Sequence, residues 1–559
     1  MKMHSNAERI IYQIYPKSFM DSNHDGIGDL NGITQRLDYL QSLGVNTLWL
    51  NPIFVSPQVD NGYDVSNYFR IEPTLGTMAD FEKLVTSVHD RGMELILDLV
   101  LNHTSDQHPW FKDAVSDPQS IYRNYYLWDK GRAGQVPNNW ASFFGGSVWE
   151  KDPAGTDEYY FHLFDKAMPD LNWKNPEVRQ AMVDIAKFWL QRGVDGFRLD
   201  AFIHIAKADF RQDVFTADSQ QPQIADEYYA NLPQVQEYLA EFVHALKEIK
   251  ADVFILGEAS SADIDLVESY TDPKRDLCDS VVSFRYFQDV PEPQLIDQLP
   301  AAGQPHKLDL AQFKRTMVSW QAVLQEWSLP TLYWSNHDLP RILDKLQIEP
   351  SMQTDAAKML AVLMYLQRGI PCIYYGEELG MTAGQLTDPA DFNDELAESF
   401  VATGTSHGFV RESLLESLSV SHKMGARSVM QWTDGVFAGF SSQTPWLNAK
   451  GNGNSVLLEK RDPDSVLNFY GQVLALRQKK LFTEGRIVFE VNDPDLYGYT
   501  RFWEKQQAYI MCNLTDHEKK IKLTEEQCAS RVKLKNRAQF DRTANKLTLG
   551  AYGVLVLEG

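Results

Sequence analysis

The sequence is poor in cysteine, and it contains no long hydrophobic run. Cys278, Cys372, Cys512 and Cys528 are scattered over 559 residues without the paired spacing of metal ligands. A disulfide framework like that of small secreted domains is therefore not expected. No apolar run approaches the ~18 residues that a membrane-spanning helix needs. The N-terminus also lacks the apolar stretch of a signal peptide. We therefore expect a cytoplasmic protein with no membrane partner.

Positive charge is also scarce. The chain has 53 Lys and Arg residues against 76 Asp and Glu, which leaves a formal net charge of −23. Nucleic acids and anionic membranes bind basic surfaces, so we expect neither as a partner. Hydrophobic residues make up 43% of the chain, which is enough for large cores and excludes extensive disorder. A chain of this length is expected to form more than one domain.

Short apolar segments alternate with amphipathic helical segments over the first three quarters of the chain. The strand candidates are RIIYQIY, VNTLWLNPI, MELILDLVLNH, VDGFRLDAF, DVFILGEAS, SLPTLYWSNHD and IPCIYYGEE. Helical patterns such as PEVRQAMVDIAKFWLQRG lie between them. Repeated βα units predict an α/β fold with a parallel sheet and helices outside it. About eight such units favour a (β/α)8 TIM barrel, whose active site lies at the C-terminal strand ends.

Two segments interrupt this alternation, and a third ends it. Residues 105–173 lack a helical period, which predicts a loop-rich inserted domain, here called domain B. Residues 377–450 form a second insertion within the barrel. From residue 483 the pattern changes to short strands without helices, which predicts a C-terminal antiparallel β domain over 483–559 (domain C). The barrel itself, domain A, is then expected over 1–104 and 174–482.

Several strand candidates end in charged residues, which is unusual for buried strands. Arg198 and Asp200 lie two residues apart in GFRLD and therefore point to the same face. Taken alone, a buried ion pair without chemistry explains them equally well. Glu258 and Asp338, however, end two further strand candidates. Carboxylates that converge on one barrel mouth repel each other unless one of them keeps its proton.

This arrangement of acids is the one that retaining glycoside hydrolysis requires. One carboxylate attacks the anomeric carbon, and another protonates the departing oxygen and then activates water. Hydrolysis by a bound metal fits less well, because no HxxxH pattern or histidine cluster accompanies the acids. We therefore expect no catalytic metal.

The motifs around these acids also resemble those of a known family. The segments DLVLNH, MPDLNW, GFRLDA, LGEAS and SNHDLPR are similar to the family motifs of the α-amylase family of glycoside hydrolases (family 13). The segments PQVDNGYDVSNY, NNWASFFGGSVWE, YYGEELGM and MQW resemble the oligo-1,6-glucosidase group within that family. The resemblance spans nearly the whole chain. It implies a barrel with a domain B after the third strand and a β domain C.

The resemblance also implies roles for individual residues. Asp200 matches the nucleophile, Glu258 the general acid/base, and Asp338 the acid that stabilises the transition state. Arg198 matches the residue that holds the nucleophile. The residues that match sugar-binding positions or the pocket wall are Asp60, Tyr63, His103, Phe144, His337 and Arg427. An Asp60–Arg427 pair at the back of the pocket would block longer chains and make the enzyme exo-acting.

A separate acidic segment, DSNHDGIGDL, has the spacing of a calcium-binding loop. The ligands that this spacing predicts are Asp21, Asn23, Asp25, the Ile27 carbonyl and Asp29, with Gly26 at the sixth position. The twelfth position is Gly32 rather than a bidentate glutamate, so the loop is not an EF-hand. A solvated acidic turn is the alternative. The resemblance supports structural Ca²⁺, with Mg²⁺ as a second option.

Ala201, next to the nucleophile position, bears on the bond that is cleaved. Group members acting on α-1,6 bonds usually carry Val here, and those preferring α-1,4 bonds usually carry Ala or Thr. A smaller side chain leaves space for a leaving glucose that enters at the α-1,4 angle. The alternative is that Ala201 only packs in the barrel wall and has no role in choosing the bond. A difference of this size is worth about 1–3 kcal/mol. We therefore expect a retaining exo-α-glucosidase that releases glucose from the non-reducing end of short α-glucosides, with α-1,4 bonds preferred.

Other activities remain open from the sequence. They are an oligo-1,6-glucosidase or dextran glucosidase, a trehalose-6-phosphate hydrolase, and a sucrose or maltose glucosyltransferase (isomerase). The serines of GEASSADID resemble those of trehalose-6-phosphate hydrolases. A non-enzymatic alternative is the heavy chain of an amino-acid transporter, but such chains have a membrane span and typically lose the acids that are present here. The expected partner is a small oligosaccharide substrate, and the protein is expected to be a monomer.

Overall fold

The structure, a computed structural model, describes residues 4–215, 221–290, 299, 303–447, 451–489 and 493–559. Eight parallel strands alternate with helices along the chain. They are β1 (Ile11–Ile14), β2 (Thr47–Leu50), β3 (Glu94–Val100), β4 (Gly196–Asp200), β5 (Phe254–Glu258), β6 (Ser280–Val282), β7 (Thr331–Leu332) and β8 (Ile370–Tyr374). The strand order is β6-β5-β4-β3-β2-β1-β8-β7. This is the predicted (β/α)8 barrel.

Continuous burial explains why these segments form barrel strands. All seven residues of β3 and all five of β4 are buried. Strands covered on both faces lose the alternation of apolar and polar residues that marks a half-exposed strand. Strand β6 was not among the candidates predicted from the sequence. It has only three residues, and its pairing with β5, with Leu256 opposite Ser280, defines it.

The principal helices lie between and after the barrel strands along the chain. They are Leu30–Gln35, Leu37–Leu43, Met78–Asp90, Pro176–Leu190, Pro233–Ile249, Ile264–Thr271, Leu310–Leu324, Gln353–Tyr365 and Val466–Arg477. The helix Pro176–Leu190 shows how local sequence signals define a helix start. The side chain of Asn175 caps its N-terminus by accepting the N–H of Glu177, and Pro176 occupies the first turn.

Two compact units account for the internal packing of the chain. The first unit comprises Met1–Leu48, Ser87–Met93 and Arg285–Gly559, and the second comprises Trp49–Thr86 and Glu94–Phe284. The predicted boundaries of domains A, B and C stay predictions, because this division into units does not test them.

The segment 105–173 lies in the second unit and contains a three-stranded antiparallel sheet. Its strands are Trp128–Asp129, Tyr159–Phe161 and Trp149–Lys151, in that order. The segment predicted to be loop-rich also contains one short α-helix, Pro109–Ser116. This helix has only eight residues, too few to establish a clear period. Its signals are instead local, namely Pro109 at the first position and the His108 side chain as the N-cap.

The second insertion lies in the first unit and is mainly helical. Its helices are Glu395–Ser406, Arg411–Ser421 and Lys423–Ala426. Leu386, Phe392, Phe400, Leu414 and Leu418 belong to one hydrophobic cluster that holds the helices together. Residues 448–450 of the predicted insertion lie outside the described part of the chain.

The C-terminal segment forms a six-stranded antiparallel sheet. Its strands are β9 (Arg486–Phe489), β10 (Leu496–Trp503), β11 (Gln506–Asn513), β12 (Lys519–Lys522), β13 (Arg531–Asp541) and β14 (Lys546–Glu558). The order is β9-β10-β11-β14-β12, and β13 also pairs with β14. The expectation that no helix occurs here is wrong, because Glu525–Ala529 is helical and starts with a Thr524–Gln527 capping box. Of the helices in the described part of the chain, none has the length and apolar character to cross a membrane.

Candidate active site

Arg198, in β4, is surrounded by three carboxylates of the second unit. Its Nη1 atom lies 2.8 Å from Asp98 Oδ1 and also bonds Asp200, and its Nη2 atom lies 2.9 Å from Glu258 Oε1. Burial lowers the pKa of the Arg198 guanidinium, but the three carboxylates outweigh this and raise it well above its ordinary value. The two acids predicted as nucleophile and acid/base are thus brought together by one cation.

Asp98, within β3, is the buried acid that anchors Arg198. It is 2% exposed, and its Oδ2 accepts hydrogen bonds from Asn51 Nδ2 (3.0 Å) and the Tyr63 hydroxyl (3.1 Å). Burial raises the pKa of Asp98, against the lowering effect of Arg198. Tyr63, predicted to bind sugar, is therefore held by the same acid that holds the arginine. Asn51 was not predicted from the sequence, although its position directly after β2 was an available signal.

Glu258 receives a second hydrogen bond from the residue that follows the predicted nucleophile. The Ala201 N–H donates to Glu258 Oε2 at 3.0 Å. Ala201 is 5% exposed and adopts a left-handed conformation, with φ 49° and ψ 22°. The chain turns sharply here, directly after β4. This turn brings the Ala201 amide to the carboxylate at the end of β5.

His103 follows β3 and is 1% exposed. Burial lowers its pKa to about 4, so its imidazole is neutral near pH 7. Residues 102–104 pair with 169–171: Leu171 N–H donates to Asn102 O at 2.8 Å, and Thr104 N–H donates to Pro169 O at 3.2 Å. This pairing fixes the backbone that carries His103.

Lys207 joins these two segments through its buried ammonium group. Its Nζ lies 2.8 Å from Asp170 Oδ2 and donates to Asn102 Oδ1 at 3.0 Å and to the His204 carbonyl. The side chain of Lys207 is 3% exposed and that of Asp170 is fully buried. Neither residue was assigned a role from the sequence. A lysine seven residues after the buried Arg198–Asp200 segment carries no local signal of its own.

Asp60 and Phe144, also predicted as pocket residues, lie on loops of the second unit. The Asp60 N–H donates to Asp64 Oδ1 at 3.1 Å, and the Asp60 carbonyl accepts the N–H of Tyr63 at 3.1 Å. Phe144 is 41% exposed, and its ring meets Phe164 edge-on at 5.7 Å. Its exposure is compatible with a pocket wall. Asp60 and Arg427 belong to different units, and their pairing stays a prediction.

The first unit contains a second group of the predicted residues, around Asp338 in the segment that follows β7. Asp338 is flanked by His337, whose Nε2 lies 3.0 Å from Asp338 Oδ2, and by Arg427, whose Nη2 lies 3.3 Å from Asp338 Oδ1. Gln13 Nε2 lies 2.8 Å from His337 Nδ1. If the amide donates there, the ring proton is on Nε2 and points to Asp338. The structure thus brings together three predicted residues, Asp338, His337 and Arg427.

The predicted calcium loop also lies in the first unit and is held by its own hydrogen bonds. Asp21 accepts the N–H groups of Asn23, His24 and Gly26 and the Ser441 hydroxyl. Although burial raises the pKa of Asp21, these bonds outweigh it and leave the pKa lowered.

Asp29 accepts a hydrogen bond from the Ser22 hydroxyl. Its side chain also caps the N-terminus of the helix Leu30–Gln35 by accepting the N–H of Gly32. Asn23 donates to Asp25 at 3.0 Å, and the Ile27 N–H donates to Asp25 at 2.8 Å. In the described part of the chain, no three acidic, histidine or cysteine side chains cluster to hold a metal. The predicted Ca²⁺ or Mg²⁺ site would also use the Asn23 amide and the Ile27 carbonyl, and it stays a prediction from the sequence.

Comparisons with known proteins agree with this geometry. Residues 13–485 match the family model of the α-amylase catalytic domain. The chain is 37% identical over 521 residues to an oligo-1,6-glucosidase of Halalkalibacterium halodurans, covering 91% of each chain. It is 36% identical over 513 residues to a trehalose-6-phosphate hydrolase of Bacillus subtilis, covering 90% of this chain and 88% of the relative.

A solved structure described as a family GH13_31 enzyme is similar over the full length of both chains, with 47% identity and a TM-score of 0.91. These matches confirm the resemblance that the motifs indicated and leave a non-enzymatic role without support. The chain belongs to the α-amylase family and is a glycoside hydrolase.

Proposed function

We propose that the protein is a retaining exo-α-glucosidase that releases glucose from the non-reducing end of short α-glucosides, with α-1,4 bonds preferred. The observation that carries the proposal is the contact of one buried guanidinium, that of Arg198, with Asp200 and Glu258 together. Two carboxylates on neighbouring strand ends supply the nucleophile and the acid/base of a double-displacement reaction. The glucosidase relative supports the same reaction class.

In the proposed mechanism, Asp200 attacks the anomeric carbon while Glu258 protonates the departing glycosidic oxygen. The C–O bond to the leaving group breaks, and an ester bond between glucose and Asp200 forms. Glu258, now ionised, takes a proton from water, and the resulting hydroxide releases glucose with its α configuration. Asp338 is the third acid, which binds ring hydroxyls as positive charge develops on the sugar.

The surroundings of Asp200 and Glu258 support this division of roles. Arg198 stabilises the carboxylate of Asp200 as an anion, which a nucleophile requires. The Ala201 N–H and Arg198 hold the Glu258 side chain in a fixed orientation, which proton transfer requires. The neutral imidazole of His103 can exchange hydrogen bonds with a sugar hydroxyl without introducing a second positive charge.

The preference for α-1,4 bonds rests on Ala201. The left-handed backbone at this residue supplies a second reason for a small side chain, because β-branched residues are strained at positive φ. The left-handed backbone favours a small residue whichever bond is cleaved. Only the space that Ala201 leaves for the departing glucose bears on the choice between α-1,4 and α-1,6 bonds. Cleavage of α-1,6 bonds is therefore the second candidate, and it is favoured by the oligo-1,6-glucosidase named among the relatives.

The proposal is tested by replacing the nucleophile and by a substrate panel. Asp200→Asn is expected to lower kcat by at least about 10⁴-fold, because an amide cannot form the covalent intermediate. The purified variant should keep the thermal stability of the wild type within a few degrees. Hydrolysis by Asp200→Asn at a tenth of the wild-type rate would contradict the assignment of the nucleophile.

The substrate panel is measured on the wild-type enzyme, with maltose, isomaltose, trehalose 6-phosphate and sucrose as substrates. We expect the highest kcat/KM on maltose, with α-glucose as the first product by NMR. A higher kcat/KM on isomaltose would establish the second candidate. A preference for trehalose 6-phosphate, or an isomeric disaccharide exceeding free glucose, would establish one of the other two activities.

A further inference from the structure

In the first unit, two chain segments are joined by two buried arginines. Each arginine belongs to one segment and donates hydrogen bonds to the other. The first segment is residues 335–342, which follow β7 and carry Asp338. The second is residues 424–428, which follow the helices of the second insertion. Arg427 and Arg341, one from each segment, are at most 1% exposed. We call this arrangement the reciprocal arginine pair.

Arg427 reaches from the second segment to the first. Its Nε donates to the His337 carbonyl at 2.8 Å, and its Nη2 lies 3.3 Å from Asp338 Oδ1. The backbone of Arg427 is fixed by the Ser18 hydroxyl, which donates to the Arg427 carbonyl at 2.6 Å. Arg427 thus contacts both the backbone before Asp338 and the carboxylate of Asp338.

Arg341 reaches from the first segment back to the second. Its Nη2 donates to the Ala426 carbonyl at 3.1 Å, one residue before Arg427. Its Nη1 donates at 2.9 Å to the carbonyl of Tyr375, directly after β8. The guanidinium also lies 5.1 Å from the ring centres of Tyr374 and Tyr375. Arg341 therefore fixes the backbone of the second segment against the end of β8.

We propose that Arg341 is a positioning residue that sets the orientation of Asp338 through Arg427. Arg341 and Asp338 lie three residues apart, and no direct hydrogen bond between their side chains is needed. The effect passes from Arg341 to the Ala426 carbonyl, along one residue to Arg427, and from its guanidinium to Asp338. This inference rests on the proposed function, because it takes Asp338 to stabilise the transition state.

The geometry of the guanidinium explains why arginine is required here. Its planar fork presents two Nη groups in fixed directions, which suits two carbonyl acceptors on different segments. The lysine ammonium is a single point at the end of a flexible stem and cannot hold both carbonyls in the same geometry. A shift of about 1 Å in a catalytic group can cost about 10²-fold in rate.

The main test is therefore Arg341→Lys, which keeps the charge and removes the fork. We expect kcat/KM to fall about 10- to 100-fold, mostly through kcat. The matched control is Arg477→Lys. Arg477 is also 1% exposed, and it donates to the carbonyls of Phe482 and Gly369 away from the predicted site residues. This control should lower the melting temperature but keep kcat and KM within about twofold of the wild type.

Inhibitors separate positioning from a general loss of folded enzyme. The probes are glucose and a glucose-configured imino sugar whose ring nitrogen is protonated. Arg341→Lys should weaken the imino sugar at least about tenfold and glucose less than about threefold. Both inhibitors present ring hydroxyls to Asp338, but only the cation also gains charge attraction from a well-placed carboxylate. A purely structural role would lower the active fraction and leave both inhibition constants unchanged, and that result would overturn the proposal.

A double-mutant cycle tests whether Arg341 acts through Arg427. If it does, Arg341→Lys/Arg427→Lys should be no slower than Arg427→Lys alone, because the shared pathway is already broken. Independent, additive losses would overturn the proposed pathway. If Arg341→Lys does not fold, Arg341→Gln, with its two amide donors, is placed in the same cycle.

The failure of this inference can be distinguished from failure of the proposed function. If Asp338→Asn loses activity while Arg341→Lys matches the wild type in kcat and in both inhibition constants, only the positioning role is wrong. If Asp338→Asn keeps full activity, the assignment of Asp338 is wrong and the inference falls with it.

Discussion

Two regions of this chain that contain buried carboxylates compensate them differently. In the second unit, Asp98, Asp200 and Glu258 surround the cation of Arg198. In the first unit, Glu377 and Glu378 follow β8 and are each bound by two tyrosine hydroxyls. Tyr365 and Tyr470 donate to Glu377 Oε1, and Tyr12 and Tyr39 donate to Glu378 Oε1.

The difference lies in the state of charge that each environment favours. A guanidinium favours the ionised carboxylate, which can act as a nucleophile or hold a developing cation. Tyrosine hydroxyls stabilise a carboxylate less than burial destabilises it. Burial raises the pKa of Glu377 to about 8, despite the lowering effect of Tyr365 and Tyr470. Near pH 7 this group is therefore protonated, and its surroundings suit a structural role rather than a catalytic one.

The largest expected effect comes from removing the cation of the first region. Arg198→Met leaves Asp98 buried without a compensating charge, which costs about 3–5 kcal/mol of stability. It also leaves Asp200 and Glu258 without their common partner, and kcat/KM should fall by about 10²- to 10³-fold. Chemical denaturation and steady-state kinetics measure the two effects.

The matched control for Arg198→Met is Arg123→Met. Arg123 lies between Asp152 and Glu158 in the same unit, at 2.6 and 2.7 Å, but outside the group of predicted catalytic residues. It should lose stability while keeping kcat/KM within a few-fold of the wild type. An equal loss of activity in both variants would mean that Arg198 acts only by maintaining the fold.

In the second region, replacing an ionisable carboxyl by its neutral amide analogue should stabilise the protein at high pH. The pKa of Glu377 is about 8 in the folded state, against an ordinary value of 4.5. Between these values the folded protein binds more protons than the unfolded chain, so stability falls as the pH rises, in total by on the order of 5 kcal/mol. Glu377→Gln removes this dependence because it cannot ionise.

We therefore expect Glu377→Gln to gain stability over the wild type as the pH rises from 5 to 8, with little difference below pH 4.5. Denaturation curves at several pH values measure the gain. The control is Glu484→Gln, on the exposed surface, which should not change the slope. A Glu377→Gln variant that is less stable than the wild type at pH 8 would mean that the tyrosines bind an ionised Glu377.

The two regions also differ in how far the sequence predicted them. Arg198, Asp200 and Glu258 were predicted because charges at the ends of apolar strands break a pattern that is visible along the chain. The barrel followed from the same alternation, whereas β6 is three residues long and left no pattern. Asn51 and Lys207 were missed because their partners are distant in sequence. Asn51 and Asp98 are 47 residues apart, and Lys207 and Asn102 are 105 apart.

Lys207 and Asp170 form a further buried ion pair of the second unit, and a smaller effect is expected from breaking it. His103 faces the charged groups Asp170, Asp60 and Lys207, and its neighbour His204 has its own pKa lowered to about 4 by burial. Burial is the main cause of the low pKa of His103, while Lys207 lowers it further and Asp170 raises it.

Lys207→Met removes the cation and leaves the Asp170 carboxylate facing the imidazole, so the pKa of His103 should rise by about one unit. A protonated His103 disfavours binding where a neutral donor and acceptor is required. The acid limb of the kcat/KM profile should therefore move to higher pH, and an NMR titration of the His103 ring should give the same shift.

The control removes both charges together. In Lys207→Met/Asp170→Asn, neither the lysine nor the carboxylate acts on the imidazole, so the His103 titration should return towards its wild-type position. If the single and double variants shift His103 equally, the change comes from altered packing of residues 102–104. In that case Lys207, unlike Arg198, would act on its site through structure rather than charge.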